Sequence, residues 1–320
     1  LRRLFIGKHG EGLKTYYNDH FTLPLPPDHR FPIDKYAKLR RSILEQGIVT
    51  AQDLRIPEPA SLEQIGYAHQ SDYIKRVVIG TLSKKEIRRI GFPWSPELVE
   101  RSRRSVGGTT AACQTAFQDG VAVNLAGGTH HAHADFGSGY CVFNDCAIAA
   151  RTMQGEGRTS QVVILDCDVH QGDGTAAIFS SDPSVFTFSI HGAHNFPFRK
   201  EHSDLDLALE DNTGDEIYLN ALEDGLEQIF SHFKAGLVIY LAGADPYFDD
   251  RLGRLALTKA GLGERDQLVL RYTQEAGLPL AIVMAGGYAR DVNDTVDIHI
   301  NTVSLASKIA DSYRLMTSAN

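Results

Sequence analysis

The sequence predicts an α/β fold, a single domain built on a mostly parallel sheet with helices on both faces. Three observations carry this reading. Short apolar runs rich in β-branched residues recur along the chain, they lack polar alternation, and amphipathic helical patterns separate them. A run without alternation suits a strand buried on both faces, and strands alternating with helices make βαβ units.

The predicted strands are VAVNL (121–125), VVILDCD (162–168), VFTFSI (185–190), LVIYLAG (237–243) and LAIVMAGG (280–287). Three helical patterns lie between and before them. SPELVERSRRSVGGTTAACQTAFQ has Ser95 as N-cap and Pro96 in its first turn. TGDEIYLNALEDGLEQIFSHF opens with acids and sets Ile217, Ala221, Leu222, Ile229 and Phe233 largely on one face. TKAGLGERDQLVLRYTQEAG starts at a good cap, Thr258, and stops at Gly277. No repeat, low-complexity tract or linker divides the chain, so residues 1–320 read as one domain, with 1–12 a flexible or non-native N-terminal segment. The Pro-rich TLPLPPDHRFP (22–32) reads as a surface loop over one end of the sheet.

Composition narrows function by exclusion. Hydrophobic residues make up 42% and charged residues 22%, as in ordinary soluble globular proteins. A net charge of −8 gives no general attraction to nucleic acid or anionic membrane. The short basic stretches Arg40–Arg41, Lys84–Lys85 and Arg101–Arg104 read as solvated helix faces. No apolar run approaches the ~20 residues of a membrane span. LRRLFIGKHG lacks the apolar core of a signal peptide. Cys113, Cys141, Cys146 and Cys167 form no Cys-x-x-Cys pair and no disulfide framework, which places the chain in a reducing cytoplasm.

Ligands of open α/β sheets bind beyond the carboxyl ends of the strands. Every predicted strand here ends in polar, ionisable or glycine residues. In LDCDVHQGDG, alternation puts Asp166, Asp168 and His170 on one face. Asp168 and His170, joined by Asp245 of GADP, give three protein ligands and an open position, the pattern of a catalytic zinc site. His130 and His131 follow a Gly-Gly turn. As neighbours on an extended segment they would point in opposite directions, so they are not expected to share one ion. Asp166 and Asp173 are available as carboxylate partners that would fix an imidazole as a general base.

GGTHHAHADFGSGYCVFND, LDCDVHQGDGT, LAGADPY and MAGGY, in this order and spacing, resemble the zinc-dependent histone deacetylase family of the arginase–deacetylase fold. The resemblance covers roughly residues 15–310, and the short form of the chain is similar to the prokaryotic, class IV-like branch. It implies one Zn²⁺ held by Asp168, His170 and Asp245. It further implies His131 as general base oriented by Asp173, His130 paired with Asp166, and Tyr288 as donor to an oxyanion, with Gly286 and Gly287 turning the chain beside it. Gly139 and Tyr140 would line an acyl-lysine tunnel opposite Phe196. Asp166, Asp168, His170, Ser189 and Ile190 match the position of the family's monovalent cation, K⁺.

The activity implied is removal of acetyl or other acyl groups from lysine side chains by a bacterial, cytoplasmic hydrolase. An acylpolyamine or small acylated amine is the alternative substrate. Two rival readings are an arginase-like ureohydrolase with two Mn²⁺ ions and a non-catalytic relic that binds acylated ligands. Against the first, GADPYFDD offers one inward Asp where a two-metal site wants a pair. Against the second, the metal and catalytic positions are all present. One departure stands out. Many eukaryotic members carry a rim acid, but RIGFPWSPEL (89–98) offers Trp94 and no carboxylate before Glu97. His191 and His194 read equally as pocket rim or surface loop, and His299 as structural. Cys167 should point away from the metal.

Overall fold

Alternate residues of each central strand feed two separate cores. A computed structural model describes residues 12–26 and 29–318, with side chains to 311; residues 1–11 of the N-terminal segment lie outside the described residues. The strands are β1 (Thr15–Tyr16), β2 (Leu54–Arg55), β3 (Val121–Asn124), β4 (Val162–Asp166), β5 (Val185–Gly192), β6 (Leu205–Leu209), β7 (Leu237–Leu241) and β8 (Leu280–Val283). The helices are α1 (Lys35–Glu45), α2 (Leu62–Ile65), α3 (Ser71–Ile79), α4 (Lys84–Ile90), α5 (Pro96–Asp119), α6 (Asp145–Gly155), α7 (Asp173–Phe179), α8 (Asp215–His232), α9 (Lys259–Glu275) and α10 (Val292–Ser318). One eight-stranded sheet runs in the order β2-β1-β3-β8-β7-β4-β5-β6, with every pairing parallel.

On one face Val163, Leu165, Val238, Tyr240 and Ile282 pack under α1, α8, α9 and α10. On the other, Val162, Ile164, Leu237, Ile239 and Val283 pack under α3, α5 and α6. This two-sided burial is why the strands show no polar alternation. All five predicted strands are present. The three that sequence did not predict are two residues long (β1, β2) or half exposed (β6), all at or near a sheet edge, where little apolar burial marks the sequence.

The predicted caps are in place. Ser95 Oγ accepts from Leu98 N at 3.1 Å, and Thr258 Oγ1 accepts from Gly261 N at 3.0 Å. The predicted face of α8 needs correction: Ile217 is 63% exposed, and the buried stripe is Tyr218, Leu222, Gly225, Leu226 and Ile229. Tyr218 takes the inward place that a neighbouring Ile217 would otherwise fill. Arg101 likewise is not a solvated charge; it is buried, its guanidinium 4.7 Å from the Tyr36 ring centroid.

Register aligns the carboxyl ends. Asp166 stands beside Ser189 and Leu241, Leu241 beside Val283, and Val283 beside Asn124. The segments that continue from these strands therefore emerge together at one end of the sheet.

Beneath them lies a buried polar network. Arg265, fully buried in α9, donates from Nε and Nη2 to Asp266 Oδ1 (3.0 and 2.8 Å) and from Nη1 to the carbonyls of Gly243 and Cys167. Tyr240 Oη and Thr302 Oγ1 satisfy the rest of Asp266. Removing one partner of such a pair strands the other's charge. Arg265→Ala is expected to lower the unfolding free energy by about 3–5 kcal/mol in urea titration. A loss below ~1 kcal/mol would show that the network does not hold the strand ends.

Candidate active site

Beyond β4 the chain stays irregular but keeps its alternation, so Asp168 and His170 face the same way while Cys167 and Val169 enter the apolar core. Asp245, just past β7, meets them. Each of the three offers a ligand atom within 4.8 Å of the others, and all are buried. His170 Nδ1 lies 2.9 Å from Asp168 Oδ1 and 3.3 Å from Asp245 Oδ2. Backbone N–H groups fix the carboxylates: Val169 N donates to Asp245 Oδ1 at 3.0 Å, and Gly286 N to Asp168 Oδ2 at 2.7 Å.

These residues fit a divalent cation on three grounds. Asp245 Oδ2 is buried and accepts no hydrogen bond. A side chain on Gly286 would fall on the Asp245 carboxylate, so the space in front of both acids is kept clear by a missing Cβ. Two oxygens and one imidazole nitrogen are a donor set for zinc. Electrostatics agree. Burial, with the charge of Asp168 added, pushes Asp245 up to about 7. Burial opposes a charge on His170, but Asp168 and Asp245 outweigh it and raise the imidazole to about 10. The acids call for positive charge.

The histidine segment follows a turn whose two glycines, Gly127 and Gly128, have φ of 82° and 76°. Asp145, buried at the start of α6, holds it by accepting from Gly128 N and Thr129 N at 3.0 and 2.7 Å. His130 Nδ1 is 2.5 Å from Asp166 Oδ2, and His131 Nδ1 is 2.6 Å from Asp173 Oδ1. The opposed directions expected of the two rings do not occur. Their centroids are 4.1 Å apart, because the segment is a turn rather than extended chain. His130 Nε2 lies 3.9 Å from Asp168 Oδ1. Burial, then the charge of His130, lowers His131 to about 4, whereas the charges of Asp166 and Asp168 overcome burial and lift His130 to about 9.

Tyr288 closes the constellation. Its loop leaves β8 through Ala285 (φ 53°) and Gly287 (φ 148°), a path that aims the tyrosine back over the acids. Its ring centroid lies 6.5 Å from that of His170, and burial raises its phenol well above the ordinary value. His130, His131, Asp168, His170 and Tyr288 open onto one cavity of about 760 Å³ that Gly139, Tyr140 and Phe196 also line. Phe196 meets His131 edge-on at 4.9 Å.

A sequence model described as the histone deacetylase domain matches residues 29–303. The chain belongs to that family. An uncharacterised protein of Picosynechococcus sp. is 45% identical over 90% of this chain and 96% of its own. Histone deacetylase 2 of Arabidopsis thaliana is 28% identical over 84% of this chain and 73% of its own. The crystal structure of a histone deacetylase homologue from Aquifex aeolicus shares the fold, with a TM-score of 0.81 at 23% identity over 93% of this chain and 84% of that one.

Further parts of the deacetylase domain's site escaped sequence reading. Asp250 is buried, accepting Tyr288 N at 2.6 Å through Oδ2, and Leu252 N and Gly253 N through Oδ1. Lys35, buried in α1, reaches the carbonyls of Ala285 and Gly287 at 3.4 and 3.3 Å and lies among the rings of Phe31, Tyr36 and Tyr288. His133 Nε2 shares Asp173, 3.2 Å from Oδ2. Only the Pro-rich loop gave a signal, and Phe31 from it does line the cavity. Trp94 does not reach the rim: its Nε1 donates to Val77 O, and Arg88, Arg89 and Gly91 line the cavity instead. His194 is exposed and lines the cavity, His191 is buried against Ser189 Oγ at 2.9 Å, and His299 is buried behind Gly287.

Gly139 has φ of 52°, and a Cβ there would sit 2.6 Å from His131 Cδ2 and 3.1 Å from Phe196 Cε1. Gly139→Ala is expected to shift His131 and cut kcat/KM roughly 10- to 100-fold, equivalent to about 1.4–2.7 kcal/mol of lost transition-state stabilisation. Steady-state kinetics alongside a melting curve tests this; full activity in a folded variant would refute the tight fit.

Proposed function

We propose that this chain is a zinc-dependent amidohydrolase of one domain, in a class IV-like prokaryotic branch, that removes acetyl or other acyl groups from lysine side chains. The observation that carries this reading is the convergence of a buried Asp168–His170–Asp245 group, a carboxylate-backed His131 and Tyr288 on one cavity. Asp168, His170 and Asp245 would hold one Zn²⁺, which when bound polarises the amide carbonyl and acidifies a water.

This chain's own residues do the rest. Asp173 holds His131 by Nδ1, leaving Nε2 to take the proton as water attacks. His130, backed by Asp166, places a second imidazole beside it, and a protonated histidine delivers the proton to the leaving amine. The Tyr288 phenol donates to the oxyanion, its backbone fixed by Asp250. Phe196 and Tyr140 guide the acyl-lysine stem. Asp166, Asp168, His170, Ser189 and Ile190 form the monovalent-cation position, β4 and β5 bringing Asp166 beside Ser189. A two-manganese ureohydrolase is disfavoured, because Asp249 is paired with Arg290 at 2.9 Å and Asp250 serves the backbone.

Chelation should abolish hydrolysis of an acetyl-lysine reporter, and one equivalent of Zn²⁺ per chain should restore it. Restoration only by two manganese ions would favour the ureohydrolase. His131→Ala and Tyr288→Phe are each expected to lower kcat roughly 10²- to 10³-fold without changing zinc content. Unchanged turnover in either variant would remove that residue from the mechanism.

A further inference from the structure

A substrate that reaches the cavity floor has to pass its mouth, and arginines dominate that mouth, with Asp211 and Glu210 standing behind Arg254 and His194. Arg88 and Arg89 near the end of α4, and Arg251 and Arg254 in the loop after β7, line the cavity. All four are exposed, whereas His131, His170 and Tyr288 are buried. The guanidinium groups therefore stand at the entrance and the chemistry at the floor. Among the described lining residues Asp168 is the sole carboxylate, and it belongs to the floor. A cationic ring on a chain of net charge −8 is a local inversion, not a general property of the surface.

Among the described residues three of the four charges have no carboxylate partner, although each has a contact within the fold. Arg254 pairs with Asp211 at 3.0 Å. Arg251 donates from Nε to Tyr288 O at 3.1 Å and from Nη2 to Arg30 O at 3.5 Å. Arg88 donates to Lys84 O, and Arg89 lies over the Phe136 ring at 4.4 Å. Among the described residues no carboxylate pairs with Arg88, Arg89 or Arg251. Nearby acids are engaged elsewhere: Glu86 with Arg76 and the Ser83 cap, Asp249 with Arg290, Asp250 with three backbone N–H groups.

We propose that the carrier of the acyl-lysine is an acidic segment of protein, with Asp or Glu flanking the modified lysine on both sides. This rests on the deacylase reading above and names its substrate class. The acylated lysine side chain is uncharged, so discrimination by charge has to happen where the flanking residues lie. Arginines on two separate elements of the mouth suit an extended segment with charges either side of the inserted residue. A polyamine carries its ammonium groups into that same ring of guanidiniums, where like charges repel.

The test uses zinc-loaded full chain and acetyl-lysine peptides of equal length that differ only in flanks: Asp/Glu, Ser/Gln or Lys. N-acetylspermidine and free Nε-acetyl-lysine complete the panel. At 0.05 M salt the acidic peptide is expected to exceed the neutral one roughly ten-fold in kcat/KM, mainly through KM. The lysine-flanked peptide and N-acetylspermidine should fall below both. At about 0.5 M salt the spread should collapse, because screening shortens the reach of exposed charges. In Arg88→Glu/Arg89→Glu the acidic-to-neutral ratio should drop below one; taking the ratio within one preparation cancels losses of folding or metal. Equal rates for acidic and neutral peptides overturn the proposal and leave the deacylase reading standing. Faster turnover of free Nε-acetyl-lysine or of N-acetylspermidine than of the acidic peptide overturns it too, in favour of a small acid or a polyamine. If none of the five is hydrolysed, the deacylase reading falls and takes this proposal with it.

Discussion

Two carboxylates held side by side away from water set the terms for everything around them. Asp168 and Asp245 repel each other strongly in a low-dielectric pocket, and burial pushes Asp245 up to about 7. Neighbouring parallel strands, β4 and β7, deliver them to the same place, so the sheet imposes the crowding. Backbone N–H donors and His170 offset part of it. Behind them Arg265 places a buried positive charge on the carbonyls of Gly243 and Cys167, close in sequence to both acids. A cation held between Asp168, His170 and Asp245 would supply what these groups leave uncompensated.

The same geometry explains what the sequence could reveal. Strands buried on both faces write unbroken apolar runs, which is why β3, β4, β5, β7 and β8 were legible. Their aligned carboxyl ends turn a one-dimensional list of polar tails into a site, so Asp168, His170, Asp245, His130 and His131 are legible together in the sequence, while Tyr288 enters through the family resemblance. Pairing His131 with Asp173 needed the family resemblance, since 42 positions separate them. The inference that adjacent histidines diverge failed because it assumed extended backbone where the chain turns.

What stayed hidden was held in place by tertiary contact alone. Lys35 reads as one of many surface lysines until α1 docks under the Tyr288 loop. Asp250 looks interchangeable with Asp249 until one accepts backbone N–H groups, that of Tyr288 among them, and the other pairs with Arg290 at the surface. Arg88 and Arg251 share no pattern, being far apart along the chain, and become a ring only at the cavity mouth. Burial, partner and neighbouring charge decide such cases, and none of the three has a period.

The floor of the cavity is shaped by atoms that are not there. Gly139 and Gly286 each stand where a single added carbon would strike the reacting groups. A surface made of backbone has no side chain to shorten, lengthen or exchange. Substitutions that leave these glycines alone are confined to side chains such as Tyr140, Phe196 and the arginines farther out. On the proposed reading, the choice of carrier can therefore be altered at the mouth without touching the groups at the floor.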